Sequence, residues 1–288
     1  MRSLTLQYVP FKWSAPILQN LQSLVLRTLP SNHIALDRVL YIVAASPNLV
    51  NLSIHVGLVN PPVLPLNQTS LNELRRLNIS GHYSLTALVE SLSLPALEDL
   101  VFDIDARDPV DEIISSLVAR SNNPPLTSLS ILYAGPHSTG SGIYYAAGAL
   151  ITSWGFLADL DQLKTLQVGG AAFDPLVSVL ASPDDDGQLD RWLCPNLTSL
   201  RMRGCHAHSD GVAKLVQMVE ARNPDTSVGG TVFQANGASP IKLRCLEVHE
   251  CGTLGVDVVE WLKVRVEDVV CTEPVCEGSP RSPSYHYL

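Results

Sequence analysis

The chain has 288 residues, 46% hydrophobic and 16% charged, so apolar material suffices for a continuous core. Its formal net charge of −9, with no run of Lys or Arg, argues against a nucleic-acid or anionic-membrane surface. No apolar run approaches the roughly 18 residues of a bilayer crossing, and MRSLTLQYVP lacks a long apolar stretch before a small-residue cleavage site, so a soluble cytoplasmic or nuclear protein is expected.

Met1–Phe11 reads as an opening strand around Leu4 and Leu6. The raw apolar edge there is expected either to lie under Tyr8, Phe11 and Trp13 or to have had a preceding cap. An L-x-x-L-x-L phrase then recurs: LQNLQSLVL at Leu18–Leu26, LVNLSI from Leu49, LNELRRLNI at Leu71–Ile79 and LEDLVF from Leu97. It continues as LTSLSI from Leu126, LKTLQV from Leu163, LTSLRMRGC from Leu197 and LRCLEVHEC from Leu243. Indexed on one leucine each, the units fall at Leu4, Leu24, Leu52, Leu77, Leu100, Leu129, Leu166, Leu200 and Leu246, at steps of 20 to 46 residues. Each phrase has the period of two expected of a strand.

Between the phrases the period changes to that of a helix. Leu36, Val39, Leu40 and Val43 share one face, as do Leu85, Leu88, Val89 and Leu92. Val110, Ile113, Ile114, Leu117 and Val118 form a third stripe, and Val212, Leu215, Val216 and Val219 a fourth. Asn32, Ser84, Asp108, Asp174, Ser209 and Thr253 are the expected N-caps, with Pro109 and Pro175 at first helical positions. The proline-rich return Gly57–Ser70 reads as extended. Tyr133–Gly142 reads as a loop before a helix carrying Ile143, Ala146, Ala147, Leu150, Ile151 and Trp154. Asp184–Gly187 is an acidic turn and Asn223–Pro240 a surface insertion. Val266–Cys271 reads as a closing strand and residues 272–288 as a disordered tail.

Strand, turn, helix and return, repeated right-handedly, stack strands into a parallel sheet with helices outside. The expected fold is α/β: a right-handed solenoid of about eight to nine irregular repeats over residues 1–271. Strand residues flanking the index leucines then face the concave, solvated side. The expected partner-binding side chains on that face are Arg27, His55, Arg76, Asn78, Asp99, Asp103, Gln167, Arg201, Arg203, Glu247 and His249.

Reactive chemistry is sparse. The cysteines Cys194, Cys205, Cys245, Cys251, Cys271 and Cys276 form no CxxC pair, and reduced thiols are the expectation. Cys205 and Cys251 each stand five residues past an index leucine, where a small side chain satisfies turn backbone. The alternative is a zinc site of Cys205, His206, His208, His249 and Cys251. Asp103, Asp105, Asp108 and Asp111 would suit a divalent cation, although a strand position, a cap and a first-turn acid explain three of them. The Gly135–Gly142 stretch lacks a G-K-[ST] ending, and GxSxG, HExxH and kinase signatures are absent. Asn51, Asn67, Asn78 and Asn196 open N-x-S/T matches, three of them inside strand phrases. No catalytic residue, cofactor or resident metal is expected, and the protein is expected to be a monomer.

The repeated phrase is the leucine-rich-repeat signature, and the chain resembles that family over about residues 1–270. SPNLVNLSI, SLPALEDLVFD, LCPNLTSLRMRGC and KLRCLEVHEC, with irregular unit lengths, look like fungal F-box proteins bearing such repeats. The resemblance implies that the repeats select a substrate protein for a cullin-based ubiquitin ligase recruited by an N-terminal F-box. No F-box helices stand before the first repeat in this sequence. The alternatives are a truncated or degenerate paralogue with no ligase role, and a Cys/His metal-binding protein.

Overall fold

A computed structural model describes residues 2–10, 15–60, 65–105, 110–132, 151, 153–181, 192–205, 210–225, 240–252 and 254–272. The index leucines organise it. Strands β1 (Ser3–Gln7), β2 (Ser23–Arg27), β4 (Asn51–Val56), β7 (Arg76–His82) and β9 (Asp99–Asp105) form half of a ten-stranded sheet. β10 (Ser128–Leu132), β11 (Thr165–Gly169), β12 (Ser199–Arg203), β13 (Cys245–His249) and β14 (Asp268–Thr272) complete it. Every pairing is parallel, and strands neighbouring in space follow one another in sequence order.

The register aligns Leu4, Leu24, Leu52, Leu77, Leu100, Leu129, Leu166, Leu200 and Leu246 in one row across the sheet, with Val269 as its tenth member. All nine leucines are buried. Two residues on, a second row of Leu26, Ile54, Ile79, Phe102, Ile131, Val168, Met202 and Val248 is buried too. The leading leucines Leu21, Leu49, Leu74, Leu97, Leu126, Leu163, Leu197 and Leu243 close the layer from the third side.

Helices α1 (Leu36–Ala44), α2 (Leu85–Glu90), α3 (Val110–Arg120), α4 (Phe173–Ala181), α5 (Gly211–Arg222) and α6 (Val256–Arg265) occupy the returns. Their apolar stripes join the strand leucines in one core cluster. Asp111 and Glu112 in the first turn of α3 and Arg120 in its last complement the helix dipole. Two short parallel pairs lie apart from the main sheet: β3 (His33–Ala35) with β5 (Leu58–Asn60), and β6 (Thr69–Ser70) with β8 (Leu92–Ser93). The Gly57–Ser70 return is therefore extended at both ends, as its prolines require, with residues 61–64 outside the described set.

Several local expectations are corrected. Asn32 does not cap α1: the chain first enters β3, and α1 starts behind Ala35. α4 begins at Phe173, which puts Asp174 inside the first turn rather than at the cap. Ser84 stands at the cap of α2 but makes no side-chain capping bond. Around α5 the buried stripe is Gly211, Leu215, Met218, Val219 and Arg222, leaving Val212 and Val216 half-exposed. Thr272 belongs to β14, so the sheet runs one residue beyond the expected limit. Leu4 is buried while Tyr8 is 50% exposed, so Tyr8 does not cover the first layer. Asp108, Ser209, Thr253, the Ile143 helix up to Leu150, the Asp184 turn, residues 226–239 and residues 273–288 lie outside the described set.

Polar groups between successive strand–return units are satisfied by side chains at helix ends. Leu21 N–H donates to Ser46 Oγ at 3.2 Å, Leu94 N–H to Ser121 Oγ at 2.9 Å, and Leu243 N–H to Asn223 Oδ1 at 2.9 Å. Asn223 Nδ2 donates in turn to the carbonyls of Leu243 and Arg265. Arg222, only 1% exposed, donates to Leu180 O at 2.9 Å, Leu193 O at 2.6 Å and Cys194 O at 3.3 Å. Burial brings its pKa down to about 10, so it stays charged at neutral pH, held by carbonyl dipoles. Cys194 beside it is fully buried, and that burial pushes its thiol up to about 12.

Two outcomes follow. Arg222→Ala takes a donor from three buried carbonyls, of which Cys194 O keeps the Leu197 N–H at 3.0 Å, and is expected to lower unfolding free energy by about 3 kcal/mol, read by urea titration, whereas exposed Arg203→Ala changes it by less than about 0.5 kcal/mol. Cys194 has a folded pKa above its ordinary 9.0, so its contribution is fully present below pH 9 and is lost as pH rises toward 12. Stability through that window should fall about 1.4 kcal/mol per pH unit less steeply in Cys194→Ala than in the parent chain.

Candidate functional site

With the leucine rows turned toward the helices, alternate strand residues are left on the opposite face of the sheet. No described helix joins its residues into the core cluster. The row just before the index leucines carries Asn51, Arg76, Asp99, Ser128, Thr165, Ser199 and Cys245. The row just after them carries Ser53, Asn78, Val101, Ser130, Gln167, Arg201 and Glu247. A third contains Arg27, His55, Ser80, Asp103 and Leu132, and resumes with Gly169, Arg203, His249 and Thr272. All eleven side chains expected to bind a partner lie on this one face.

Neighbouring strands tie many of them together. Arg76 Nε–H donates to Asn51 Oδ1 at 2.6 Å, and His55 Nδ1 and Ser80 Oγ are 2.7 Å apart. At the far end a chain of polar contacts crosses three strands. Arg201 Nε meets Glu247 Oε1 at 3.0 Å, Glu247 Oε2 meets His249 Nε2 at 3.3 Å, and His249 Nδ1 meets Thr272 Oγ1 at 3.0 Å. Arg201 and Glu247 keep 45% and 23% side-chain exposure, so the pair is worth no more than about 1 kcal/mol. These groups can be exchanged without unfolding the sheet.

The face is electrically divided. Asp99 and Asp103 stand on β9, and Arg201 and Arg203 on β12, three strand spacings or about 14 Å away. Between them β10 and β11 carry Ser128, Ser130, Leu132, Thr165, Gln167 and Gly169, a strip of mostly small, uncharged residues in which Ser130 and Gly169 are buried. A Cβ at Gly169 would stand 3.1 Å from Leu132 Cδ2, so a larger residue there requires the Leu132 side chain to move by a few tenths of an ångström. Arg203 is exposed and makes no ion pair within the described set, whereas Arg201 is partly neutralised by Glu247. Gln167 lies beside Arg201 in register, and Arg27 beside His55 at the other end.

Some partners were not evident from the sequence. Arg75 and Glu98, each two residues before an index leucine, pair at 2.7 Å along the rim of the face. The signal was their shared offset, which becomes a contact once register is known. Arg222 was likewise hidden in a helix stripe, although its spacing from Leu215 and Val219 is that of a buried face.

The metal-site expectations divide. His249 makes its contacts with Glu247 and Thr272, whereas Cys205 and Cys251 are buried. His206, His208, Asp108 and the side chain of Asp105 lie outside the described set, and among described residues no three His, Cys, Asp or Glu side chains gather to hold a metal ion. Asp111 is buried and accepts the Ser153 N–H at 3.1 Å, a structural bond in place of an exposed first-turn acid. Clefts of about 260 and 280 Å³ sit at the sheet's two ends, lined around α6–β14 and around Thr28–Ile34, away from the charged middle of the face.

Comparison with known proteins is negative: no family model and no curated protein matches the chain. Among the described residues no helix is long and apolar enough to cross a membrane.

Proposed function

We propose that this chain is a right-handed leucine-rich-repeat solenoid that binds a partner protein on its concave face without catalysis. The observation that carries the reading is the single row of index leucines in chain order. It commits one side of every strand to the core and leaves charged and polar residues displayed on the other. A broad face with an acidic stretch, a strip of small residues and a basic stretch suits a protein surface better than a small molecule, which needs an enclosed pocket. The role as the substrate-recognition part of an F-box-type ubiquitin-ligase adaptor rests on the resemblance in the repeat phrases. The cysteines among described residues are free, in keeping with a reducing cytoplasmic or nuclear setting.

The test is affinity capture from native extract with the parent chain and with an Asp99→Arg, Arg201→Glu, Arg203→Glu variant. The partner should be recovered at least about tenfold less well by the variant, with circular dichroism unchanged. Equal recovery by both chains would overturn the concave-face reading. Capture of that partner with no cullin-ligase adaptor recovered by either chain would remove the ligase role and leave the binding role.

A further inference from the structure

Cys205 and Cys251 occupy equivalent turn positions just past β12 and β13, strands that pair in register from Ser199–Cys245 to Arg203–His249. Cys205 N–H donates to Cys251 Sγ at 3.3 Å, which brings the two side chains together. Cys251 Sγ lies 3.2 Å from His249 O, and Cys205 Sγ lies 3.6 Å from Val168 O and 3.7 Å from Arg203 O. Gly204 N–H, just before Cys205, donates to His249 O at 2.8 Å and keeps the two turns adjacent, and a disulfide bridges Cα atoms roughly 4.4–6.8 Å apart. We propose that Cys205 and Cys251 are an oxidisable pair, joined by hydrogen peroxide into a disulfide that ties the ends of β12 and β13 together.

The two sulfurs are not equivalent. The neighbouring Cys251 thiol, helped by backbone groups of Ala171, Arg203 and Gly170, lowers the Cys205 pKa against the opposing effect of burial. That proximity, with burial, raises the Cys251 pKa above the ordinary thiol range. Of the two, Cys205 opens the reaction and Cys251 resolves it, an order that the Cys251→Ser variant tests. The Cys205 thiolate attacks one peroxide oxygen, the O–O bond breaks, and the departing hydroxide takes a proton to become water. Cys251 sulfur then attacks the Cys205 sulfenic acid: S–S forms, S–O breaks, and the hydroxyl leaves as water with the Cys251 proton. Two thiols are oxidised and one peroxide is reduced to two waters. Exposure of 2% for Cys205 and 7% for Cys251 restricts the oxidant to a small one. Fully buried Cys194 has its thiol bonded to Leu157 O and, among the described residues, no neighbouring sulfur to resolve it. Arg203 and His249 stand two residues before the two cysteines, so the bond would brace the basic end of the open face.

The experiment treats the full chain with hydrogen peroxide, blocks remaining thiols with N-ethylmaleimide, and maps peptides without reduction by mass spectrometry. A linked peptide containing Cys205 and Cys251, formed with peroxide and lost with dithiothreitol, is expected, together with a raised Tm. In Cys251→Ser, with the resolving thiol gone, dimedone should label Cys205. Recovery of both cysteines as blocked thiols while Cys245 is oxidised, or linkage of either to another cysteine, would overturn the pair. A Cys251→Ser chain that folds but takes no dimedone at Cys205 would overturn the order of attack.

Discussion

Parallel pairing in register is the constraint on which the rest depends. Side chains alternate across a strand, so slipping one strand by a residue would turn its leucines to water and its charges into the core. The row from Leu4 to Leu246 holds every strand against that slip, because each member is buried beside the next. Unit length can then vary widely: a longer return changes what lies outside the sheet without changing which residue faces its neighbour. The stretched returns of the later units fit this tolerance, since β10 to β13 keep the same leucine register as the shorter units before them.

A second requirement comes from the polar backbone that such stacking buries. Each return brings helix ends inside the layer, where an unpaired carbonyl or N–H is costly. Ser46 and Asn223 answer the N–H groups of the leading leucines Leu21 and Leu243, Ser121 answers that of Leu94, and Arg222 answers three carbonyls at once. Charge inside this core is therefore paired with backbone dipoles, while charge on the open face pairs only loosely across strands. That division separates what holds the sheet from what is free to meet another molecule.

The leucine spacing makes the strand positions and the outward residues legible, and the helical period between the phrases adds the α/β class. The ends of elements are less legible. Asn32 has the chemistry of a cap, but pairing of β3 with β5 takes precedence and delays α1 to Leu36. Asp174 is preceded by Phe173, whose buried ring opens the helix one residue early. Side-chain pairs such as Arg75–Glu98 and Arg201–Glu247 depend on cross-strand distance, which a linear pattern does not carry. The Cys205–Cys251 contact has a positional signal in the shared offset from Leu200 and Leu246, yet its meaning emerges only once Cys205 N–H is seen to donate to Cys251 Sγ.

The open face as the working surface is tested most directly by site-specific photocrosslinking in native extract. A benzophenone side chain at Ser128 or Gln167 sits among the small and polar residues of that face, and one at Glu112 or Glu220 sits on the exposed side of α3 or α5. Adducts to a shared partner from Ser128 and Gln167, with none from the helix positions, are expected. Adducts from Glu112 or Glu220 alone would place recognition on the helices and contradict the assignment of the sheet face.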